Sequence, residues 1–420
     1  MNAPTALLTK RLGVWIALMV LALVAPLISS RAFVLSLLCQ IGIMTVFATS
    51  FNMLLGQTGL LSFGHAVYFG TGSFFTIHAL NLFGRGAQPL PVTLLPLVGG
   101  AAGLLLAALL GAATTGRAGT TFAMISLGLG ELVASSSLMF PAFFGGEAGV
   151  SGNRVTGRGW LGIDYGSQLQ MYYLIAAWAL LCVAAMYALS QTPLGRMANA
   201  VRDNPERAQF VGYNPQRVRY AMVVLAGFFA GVAGALSALN YEIVTAEALH
   251  IGTSSAVILM AFVGGAGFFF GPAIGAVLIT LLQSVVSGFT EAWLFYFGVF
   301  FLAVVLYAPG GIAGLAVFQW RLYRAGVLGK LAPWYLLVAG PAVLLLGGLL
   351  SVVEMAYRAL ASNEPARLRW LGFELDPARG PSWAIALLAL LAGAGLLALA
   401  RRRLLRRWHE VQPAQPEEGR

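Results

Sequence analysis

The sequence predicts an all-α polytopic membrane protein, and composition is the first reason. The mean hydropathy is +0.82, and 59% of the residues are hydrophobic while only 10% are charged. A soluble domain carries about a quarter charged residues, so the composition excludes that class. The 51 glycines fit a membrane interior, where small residues let helices approach closely. The net charge of +10 is spread over the ends of apolar stretches, which favours membrane orientation over nucleic-acid binding.

Apolar stretches long enough to cross a bilayer, which takes about 20 residues, are the second reason. Eight of them predict the core transmembrane helices: 12–30, 33–55, 62–83, 90–113, 118–143, 170–190, 220–239 and 291–307. Two more, 331–352 and 382–400, predict extra C-terminal helices. The first stretch follows Lys10 and Arg11 as a cleaved signal peptide would, but its length and the spans directly after it favour a retained helix.

Residues 253–287 do not fit a simple span. The string SSAVILMAFVGGAG is too short to cross, a break follows at Gly271 and Pro272, and a second short apolar run ends at Val286. We predict a re-entrant hairpin or a broken helix, which membrane proteins tolerate where it lines a cavity. Gly264 and Gly265 in this segment are candidate residues of a substrate pathway.

The basic residues orient the predicted spans. If the N-terminus is cytoplasmic and residues 253–287 return to the side they entered, all but eight of the 25 Lys and Arg residues fall on the cytoplasmic side. The exceptions are Arg31, Arg85, Arg154, Arg158, Arg358, Arg367, Arg369 and Arg379. A single crossing would send every later basic loop outward, so the hairpin is preferred and both termini are predicted to be cytoplasmic.

A polar segment interrupts the spans at residues 191–219, QTPLGRMANAVRDNPERAQFVGYNPQRVR, and is called the capped segment below. Thr192, Asn204 and Asn214 each precede a proline, which is the start signal of a capped helix, and Gly212 is a predicted stop. Two or three short helices follow from this pattern. Helices of this length are marginal alone, so we expect them to pack on the membrane body or on a partner. Their arginines favour a docking surface, with a plain loop as the alternative.

Polar side chains in a glycine-rich passage, GQTGLLSFGHAVYFGTG at 56–72, are candidates for a substrate pathway. The passage places Gln57, Ser62 and His65 at the start of a span, where polar groups need partners or water. A buried histidine is most often hydrogen-bonded structure, and this alternative stays open beside a substrate role.

A second passage, MISLGLGELVASSS at 124–137, carries Glu131 in the middle of an apolar span. An acid there costs about 2.5–3.5 kcal/mol on insertion scales, so we expect it to face a bundle interior or a wet cavity. Gly128, Glu131 and Ser135 share one helix face, which is a candidate lining of the pathway. A protonated or hydrogen-bonded structural glutamate is the alternative.

The sequence contains no motif for catalysis, metal or nucleotide binding. Cys39 and Cys182 lie in apolar spans, and no metal-ligand spacing occurs. The phosphate-binding pattern G-x-x-x-x-G-K-[ST] is absent, and the nearest string, Gly329-Lys330, is followed by Leu331. We therefore expect no catalytic residue, no metal and no cofactor bound by this chain.

These motifs, in this order over about residues 30–316, resemble the M-type permease subunits of branched-chain amino acid ABC importers. The first passage is similar to the family string G-Q-x-S-x-G-H-A, and MISLGLGELV places the family acid at Glu131. FFGGEAGVSG resembles an external T-G-G-x-x-G turn, with Phe144 in place of the threonine. The strongest similarity, GRMANAVRDNPERAQFVGYNPQRVRYAMVVLAGFFAGVAGAL, is to the family's coupling segment. The candidate coupling residues are Gly195, Arg196, Arg202, Asp203, Asn204, Arg207 and Gly212.

The resemblance implies a non-catalytic permease subunit in a bacterial inner-membrane importer, driven by ATP that partner subunits bind and hydrolyse. The expected partners are two cytoplasmic ATPase subunits, a homologous second permease and a periplasmic binding protein that meets outer loops including 144–169. Branched-chain or other apolar amino acids are the expected substrates, and urea, short amides and small organic acids are alternatives. A secondary transporter is the alternative of another class.

The predicted organisation has three parts: a first transmembrane helix in 1–32, a permease core in 33–316 and an extension in 317–420. The extension adds two spans, an external loop that is amphipathic around 354–370, and a basic tail containing RRRLLRR. The loop is a candidate for lying on the membrane surface or contacting the binding protein. The tail is expected to anchor near anionic lipid, with a role in assembly as the alternative.

Overall fold

The structure, a computed structural model, confirms an all-α polytopic membrane protein. It describes residues 3–28, 31–84, 90–156, 165–288, 290, 292–326, 328–361, 368–370, 373–375 and 380–411. Parts of three predicted regions lie outside the described residues: 157–164 in the outer loop, 362–367 in the amphipathic stretch and 412–420 in the tail.

Every predicted span coincides with a helix. The first helices are α1 (Ala3–Ile28), α2 (Ala32–Thr58), α3 (His65–Gly84), α4 (Leu95–Thr114), α5 (Gly119–Met139), α6 (Pro141–Phe144), α7 (Gln168–Gln191) and α8 (Pro193–Asp203). The later ones are α9 (Pro205–Phe210), α10 (Pro215–Tyr241), α11 (Ile251–Gly264), α12 (Gly271–Val286), α13 (Trp293–Tyr307), α14 (Gly311–Arg324), α15 (Leu328–Ala361) and α16 (Gly380–Val411). The strands are β1 (Val150–Ser151), β2 (Ile243–Val244), β3 (Leu368–Trp370) and β4 (Phe373–Leu375).

Length and hydropathy qualify seven helices in the described part of the chain as membrane spans. The number rises to eight if α13 and α14, which meet at a bend of 48°, form one span. The seven do not include α3, and the described apolar part of α1, Trp15–Leu27, is counted as a shorter apolar helix. The pair α11 and α12 is too short to qualify, as predicted for a hairpin.

The chain forms two compact units, and the first comprises Met1–Ser284 with Phe301–Gly314. Its central helix is α10, which packs on α2, α3 and α4. Of the residues in the most apolar stretch of α10, 78% are buried inside the protein. Close approach depends on glycine. A Cβ on Gly231 would lie 2.2 Å from the carbonyl oxygen of Gly99, and one on Gly234 would lie 1.9 Å from that of Phe69. Small residues therefore set the helix spacing, as in other membrane bundles.

A small antiparallel sheet, which the sequence did not predict, joins the loop after α6 to the end of α10. Val150 in β1 pairs with Val244 in β2. Gly145, Gly146 and Gly149 just before it have φ values of 73°, 63° and 73°. This conformation costs side-chain-bearing residues energy but suits glycine, so the glycine turn that the sequence singled out is a structural requirement.

The second unit comprises Val285–Phe300 and Leu315–Arg420. Its main contact is between α15 and α16, which run antiparallel. A Cβ on Gly348 would lie 2.4 Å from the Leu390 backbone nitrogen, and one on Gly393 would lie 2.5 Å from that of Leu345. Glu354 accepts a hydrogen bond from Thr290 at 2.8 Å and pairs with Arg358 at 3.1 Å. These contacts hold α15 against α16 and tie α15 to Thr290 within the second unit.

Candidate functional site

The capped segment contains α8, α9 and the first turn of α10. The N-cap predicted for each of these helices is confirmed. The side-chain oxygen of Thr192 accepts from the Gly195 amide at 3.4 Å, and that of Asn204 accepts from the Arg207 amide at 3.0 Å. Asn214 caps α10 by accepting from the amides of residues 216 and 217 at 2.9 and 3.2 Å. Each cap satisfies backbone donors that a helix start leaves unpaired, so the segment has a defined shape.

The residues predicted for coupling divide between a buried and an exposed face of this segment. Gly195 is buried, and a Cβ there would lie 2.5 Å from the carbonyl oxygen of Leu189. Gly212 has a φ of 91° and ends the turn after α9, as predicted. The exposed residues are Arg196, Arg202, Asp203, Asn204 and Arg207.

An apolar corner on the exposed face was missed in the sequence. Phe210 is 90% exposed, Val211 74% and Tyr213 44%. Phe210 ends α9, and the other two residues follow it before α10 begins. The sequence did carry a signal, because FVGY is the only cluster of large apolar residues in a polar segment. Exposed apolar side chains ringed by charge are typical of a protein interface.

Arg202 points toward the membrane helices although it is partly exposed. Its guanidinium donates to the carbonyl oxygen of Gly56 near the end of α2, and it pairs with Asp203 at 2.9 Å. The structure thus brings together two residue groups that the sequence had placed in different roles, since Gly56 begins the glycine-rich passage and Arg202 belongs to the capped segment.

The polar residues of the glycine-rich passage are enclosed. Gln57, Ser62 and His65 are 8%, 2% and 0% exposed. Ser50 Oγ lies 3.0 Å from Nε2 of His65 and 2.7 Å from the carbonyl oxygen of Phe47. A hydroxyl has one proton, so Ser50 donates it to Phe47 and accepts from His65. Among the described residues, Nδ1 of His65 and Oε1 of Gln57 are buried without a hydrogen-bond partner.

Two serines that the sequence did not single out fix the start of α3. The Phe63 amide donates to Ser126 Oγ at 3.1 Å, and the Ala66 amide donates to Ser254 Oγ at 2.9 Å. These serines belong to α5 and α11, so no local pattern could reveal them. The geometry around His65 is that of a packed helix start, which favours the structural alternative for this histidine.

Glu131 and Ser135 do not face the interior of this chain. Ser135 and Gly128 are exposed, and Glu131 between them is half-buried. The opposite face of α5 packs inward, where a Cβ on Gly64 would lie 2.3 Å from the carbonyl oxygen of Ser126. The predicted polar face therefore exists, but the first unit leaves it open.

The segment 253–287 folds back on itself through backbone contacts. A Cβ on Gly264 would lie 1.9 Å from the carbonyl oxygen of Gly271, and one on Gly275 would lie 1.9 Å from that of Met260. These pairs place α11 and α12 side by side and antiparallel, as a hairpin requires. Gly265, with a φ of 106°, ends α11 and contacts the break between α13 and α14 at residues 310 and 311.

The predicted pathway residues thus separate into three places. Gln57, Ser62 and His65 lie inside the bundle, Gly264 and Gly265 hold the hairpin together, and the Glu131 face points outward. In the part of the chain that the structure describes, no group of three His, Cys, Asp or Glu residues is arranged to hold a metal ion.

Comparison with known proteins agrees with this architecture. Residues 33–309 match the family model described as "Branched-chain amino acid transport system / permease component". The LivM high-affinity branched-chain amino acid permease protein of Escherichia coli K12 is 25% identical over 342 residues, covering 76% of this chain and 78% of that protein. A probable LivH permease protein of Methanocaldococcus jannaschii is 32% identical over 149 residues, covering 32% of this chain and 45% of that protein.

A shorter similarity extends to the probable ABC transporter permease protein YphD of Escherichia coli K12, at 32% identity over 129 residues, 29% of this chain and 38% of that protein. No solved structure matches the chain. The family match covers the α2 to α13 region, including the capped segment and the hairpin. The chain belongs to the family of permease components of branched-chain amino acid transport systems.

Proposed function

We propose that this chain forms one half of the transmembrane pathway of an ABC importer in a bacterial inner membrane, with both termini cytoplasmic. Two ATPase subunits bind and hydrolyse the ATP, and this chain catalyses nothing itself. The observation that carries the proposal is the capped segment: three capped helix starts hold a charged and apolar surface at one end of the membrane helices. A secondary transporter has no need of such a surface.

The ATPase contact centres on the apolar corner of Phe210, Val211 and Tyr213. Large apolar side chains contribute most of the energy of protein interfaces when a polar rim excludes water around them. Here Arg207 is exposed in α9 and Arg217 in α10, which supplies that rim. Acidic and apolar residues on the ATPase subunit would complement this surface.

A homologous second permease covers the Glu131 face. A carboxyl group facing lipid costs about 2.5–3.5 kcal/mol, and Gly128 and Ser135 beside it are exposed in this chain. A second permease packed there would remove Glu131 from lipid and place it at the boundary between the two subunits. Glu131 would then line the pathway, and Glu131→Gln would change uptake without loss of the folded protein.

Branched-chain or other apolar amino acids are the proposed substrates, because the family and two of the relatives are described as transporting branched-chain amino acids. A periplasmic binding protein delivers the substrate to the outer loops. Urea, short amides and small organic acids are the competing substrates. They enter the test as ligands of the same assay.

The test is ATP hydrolysis by the chain reconstituted in liposomes with its ATPases, second permease and binding protein. Leucine, isoleucine, valine, urea and acetamide are added one at a time. We expect stimulation by an aliphatic amino acid. Stimulation by urea or acetamide instead would contradict the substrate proposal, and absence of ATPase association would favour a secondary transporter.

Docking is tested separately by co-purification. Phe210→Ser and Arg207→Glu are expected to reduce ATPase recovery at least tenfold while the permease remains inserted. Leu169→Ser is the matched control, because Leu169 is an exposed apolar residue at the start of α7, far along that helix from the capped segment. Equal ATPase recovery for Phe210→Ser and the control would contradict the docking surface.

A further inference from the structure

The end of α2 is completed by a residue of the capped segment. Gly59 has a φ of 70° and turns the chain. The amides of Gly59 and Leu60 donate to the carbonyls of Leu55 and Leu54 at 3.1 and 3.0 Å. The neighbouring carbonyl of Gly56 accepts from Nη1 of Arg202. The last carbonyls of a helix lack partners within it and carry partial negative charge, so a cation is favoured there.

Two further contacts fix the direction of the Arg202 side chain. Nε and Nη2 each lie 2.9 Å from Oδ1 of Asp203, which makes a charge-assisted pair within α8. A Cβ on Gly59 would lie 3.0 Å from Cγ of Arg202, so the stem of the arginine rests on the turn after α2. Arg202 therefore joins α8 to α2 rather than presenting its whole side chain to a partner.

The same end of α2 contacts the tip of the hairpin, residues 265–270. Nδ2 of Asn52 donates to the carbonyl oxygen of Phe268 at 3.4 Å. A Cβ on Gly56 would lie 2.5 Å from the carbonyl oxygen of Ala266, so the two backbones touch at this glycine. Gly56 thus has Arg202 bonded to its carbonyl and the hairpin tip packed against its Cα.

The two helices of the hairpin are in close backbone contact. Its two helices meet through the backbone contacts of Gly264 and Gly275, which leave no space between them. Its tip is more open: Gly267 is exposed, and no atom lies within 4 Å of a Cβ placed there. A displacement applied at the tip would therefore be carried along both α11 and α12.

We propose that Arg202 is a positioning residue that passes movement of the capped segment to the hairpin tip through the end of α2. The inference rests on the proposed function, because docked ATPase subunits supply the movement. Two different parts of the capped segment then bind the ATPase and contact the membrane helices. The corner at Phe210 holds the ATPase, and Arg202 connects the segment to the membrane helices.

The test follows the hairpin tip by spin labels in the assembled complex with its ATPases. Labels are attached to cysteines introduced at Gly267 and at Ala148, an exposed residue beside the small sheet. The native cysteines, Cys39 and Cys182, are buried and are replaced by alanine. The distance between the labels is measured without nucleotide and with ATP and vanadate.

In the otherwise unsubstituted complex we expect this distance to shift when the nucleotide is trapped. In Arg202→Ala the shift is lost although the ATPases still co-purify, and Arg202→Lys restores part of it because it keeps a cationic donor. Arg117→Ala, at an exposed arginine between α4 and α5 and outside the capped segment, retains the full shift. Asn52→Ala also loses it, because Asn52 makes the hydrogen bond between α2 and the hairpin tip.

Two results would overturn the inference alone: no shift in the complex that keeps Arg202, or the same shift in Arg202→Ala, in each case with the ATPases bound. A complex that never recovers ATPase subunits would overturn the proposed function as well. Co-purification therefore distinguishes the two failures.

Discussion

Two arginines complete the C-termini of helices in the first unit, and they do so under different conditions. Arg154 is 7% exposed and completes α10. Its guanidinium donates to the carbonyl oxygens of Tyr165, Leu239 and Asn240 at 2.8, 3.2 and 3.1 Å. Arg202 completes α2 with a side chain that is 37% exposed, and it donates to one carbonyl.

The same interaction therefore stabilises the fold where the arginine is buried and links two segments where it is exposed. The surroundings of Arg154 are closed, and its own amide donates to Glu242 at 2.8 Å while Gln168 accepts from its guanidinium at 3.4 Å. Removing such a residue strands several polar groups away from water. Around Arg202 water can replace what is lost, so the cost falls on coupling rather than on stability.

The largest expected effect is that of Arg154→Ala. Leaving a buried acceptor unpaired costs about 1–3 kcal/mol per group, and Arg154→Ala takes the guanidinium donor from three carbonyls in an enclosed site. We expect a strongly lowered unfolding temperature in detergent and poor recovery of folded protein. Arg196→Ala is the control, since its side chain is exposed. An unchanged unfolding temperature for Arg154→Ala would mean that the buried arginine contributes no more to stability than the exposed Arg202.

The next effect separates a packed glycine from an open one in the same hairpin. Gly264→Ala places a Cβ 1.9 Å from the carbonyl oxygen of Gly271, whereas Gly267→Ala meets nothing within 4 Å. Overpacking of this kind costs about 1–3 kcal/mol. Thermal unfolding should therefore show a loss for Gly264→Ala alone. Similar losses for both variants would mean that the hairpin does not rely on backbone contact.

Arg202→Ala is expected to lower stability by only about 1 kcal/mol, because charges near helix ends and exposed ion pairs contribute little. Denaturant unfolding beside Arg154→Ala checks this. A loss of unfolding free energy as large as that of Arg154→Ala would mean that Arg202 also stabilises the fold. Its effect on the hairpin tip would then reflect damaged folding rather than coupling.

The parts of the fold that depend on neighbouring residues in the chain could be predicted from the sequence. Apolar runs located every span, and the prolines after Thr192, Asn204 and Asn214 located the three helix starts. The short apolar runs around Gly271 and Pro272 predicted the hairpin, because a short apolar run cannot cross a bilayer. The break itself lies just before them, at residues 265–270, and Gly271 and Pro272 begin α12. These signals lie within a few residues of the structure they predict.

The contacts between distant segments could not be read in the same way. The sequence placed Arg202 on a docking surface and gave no sign that its guanidinium would meet Gly56, 146 positions earlier. Arg154 was counted only as an exception to the charge rule, although its guanidinium completes the C-terminus of α10. Ser126 and Ser254 are ordinary serines until the fold brings them to the start of α3.

The least destabilising change is expected at Asn204, which caps α9, the helix that ends at the exposed Phe210. Asn204→Ala removes the acceptor of the Arg207 amide at the start of α9, a loss of about 0.5–1 kcal/mol for an N-cap. Because α9 has only six residues, the loss is expected as faster amide hydrogen exchange at residues 206–210 rather than as a shift of global unfolding. Gln209→Ala, an exposed change in the same helix, is the control. Unaltered exchange in α9 after Asn204→Ala would contradict this prediction. It would mean that contacts with the membrane helices, rather than the cap, hold α9 and the corner at Phe210 in place.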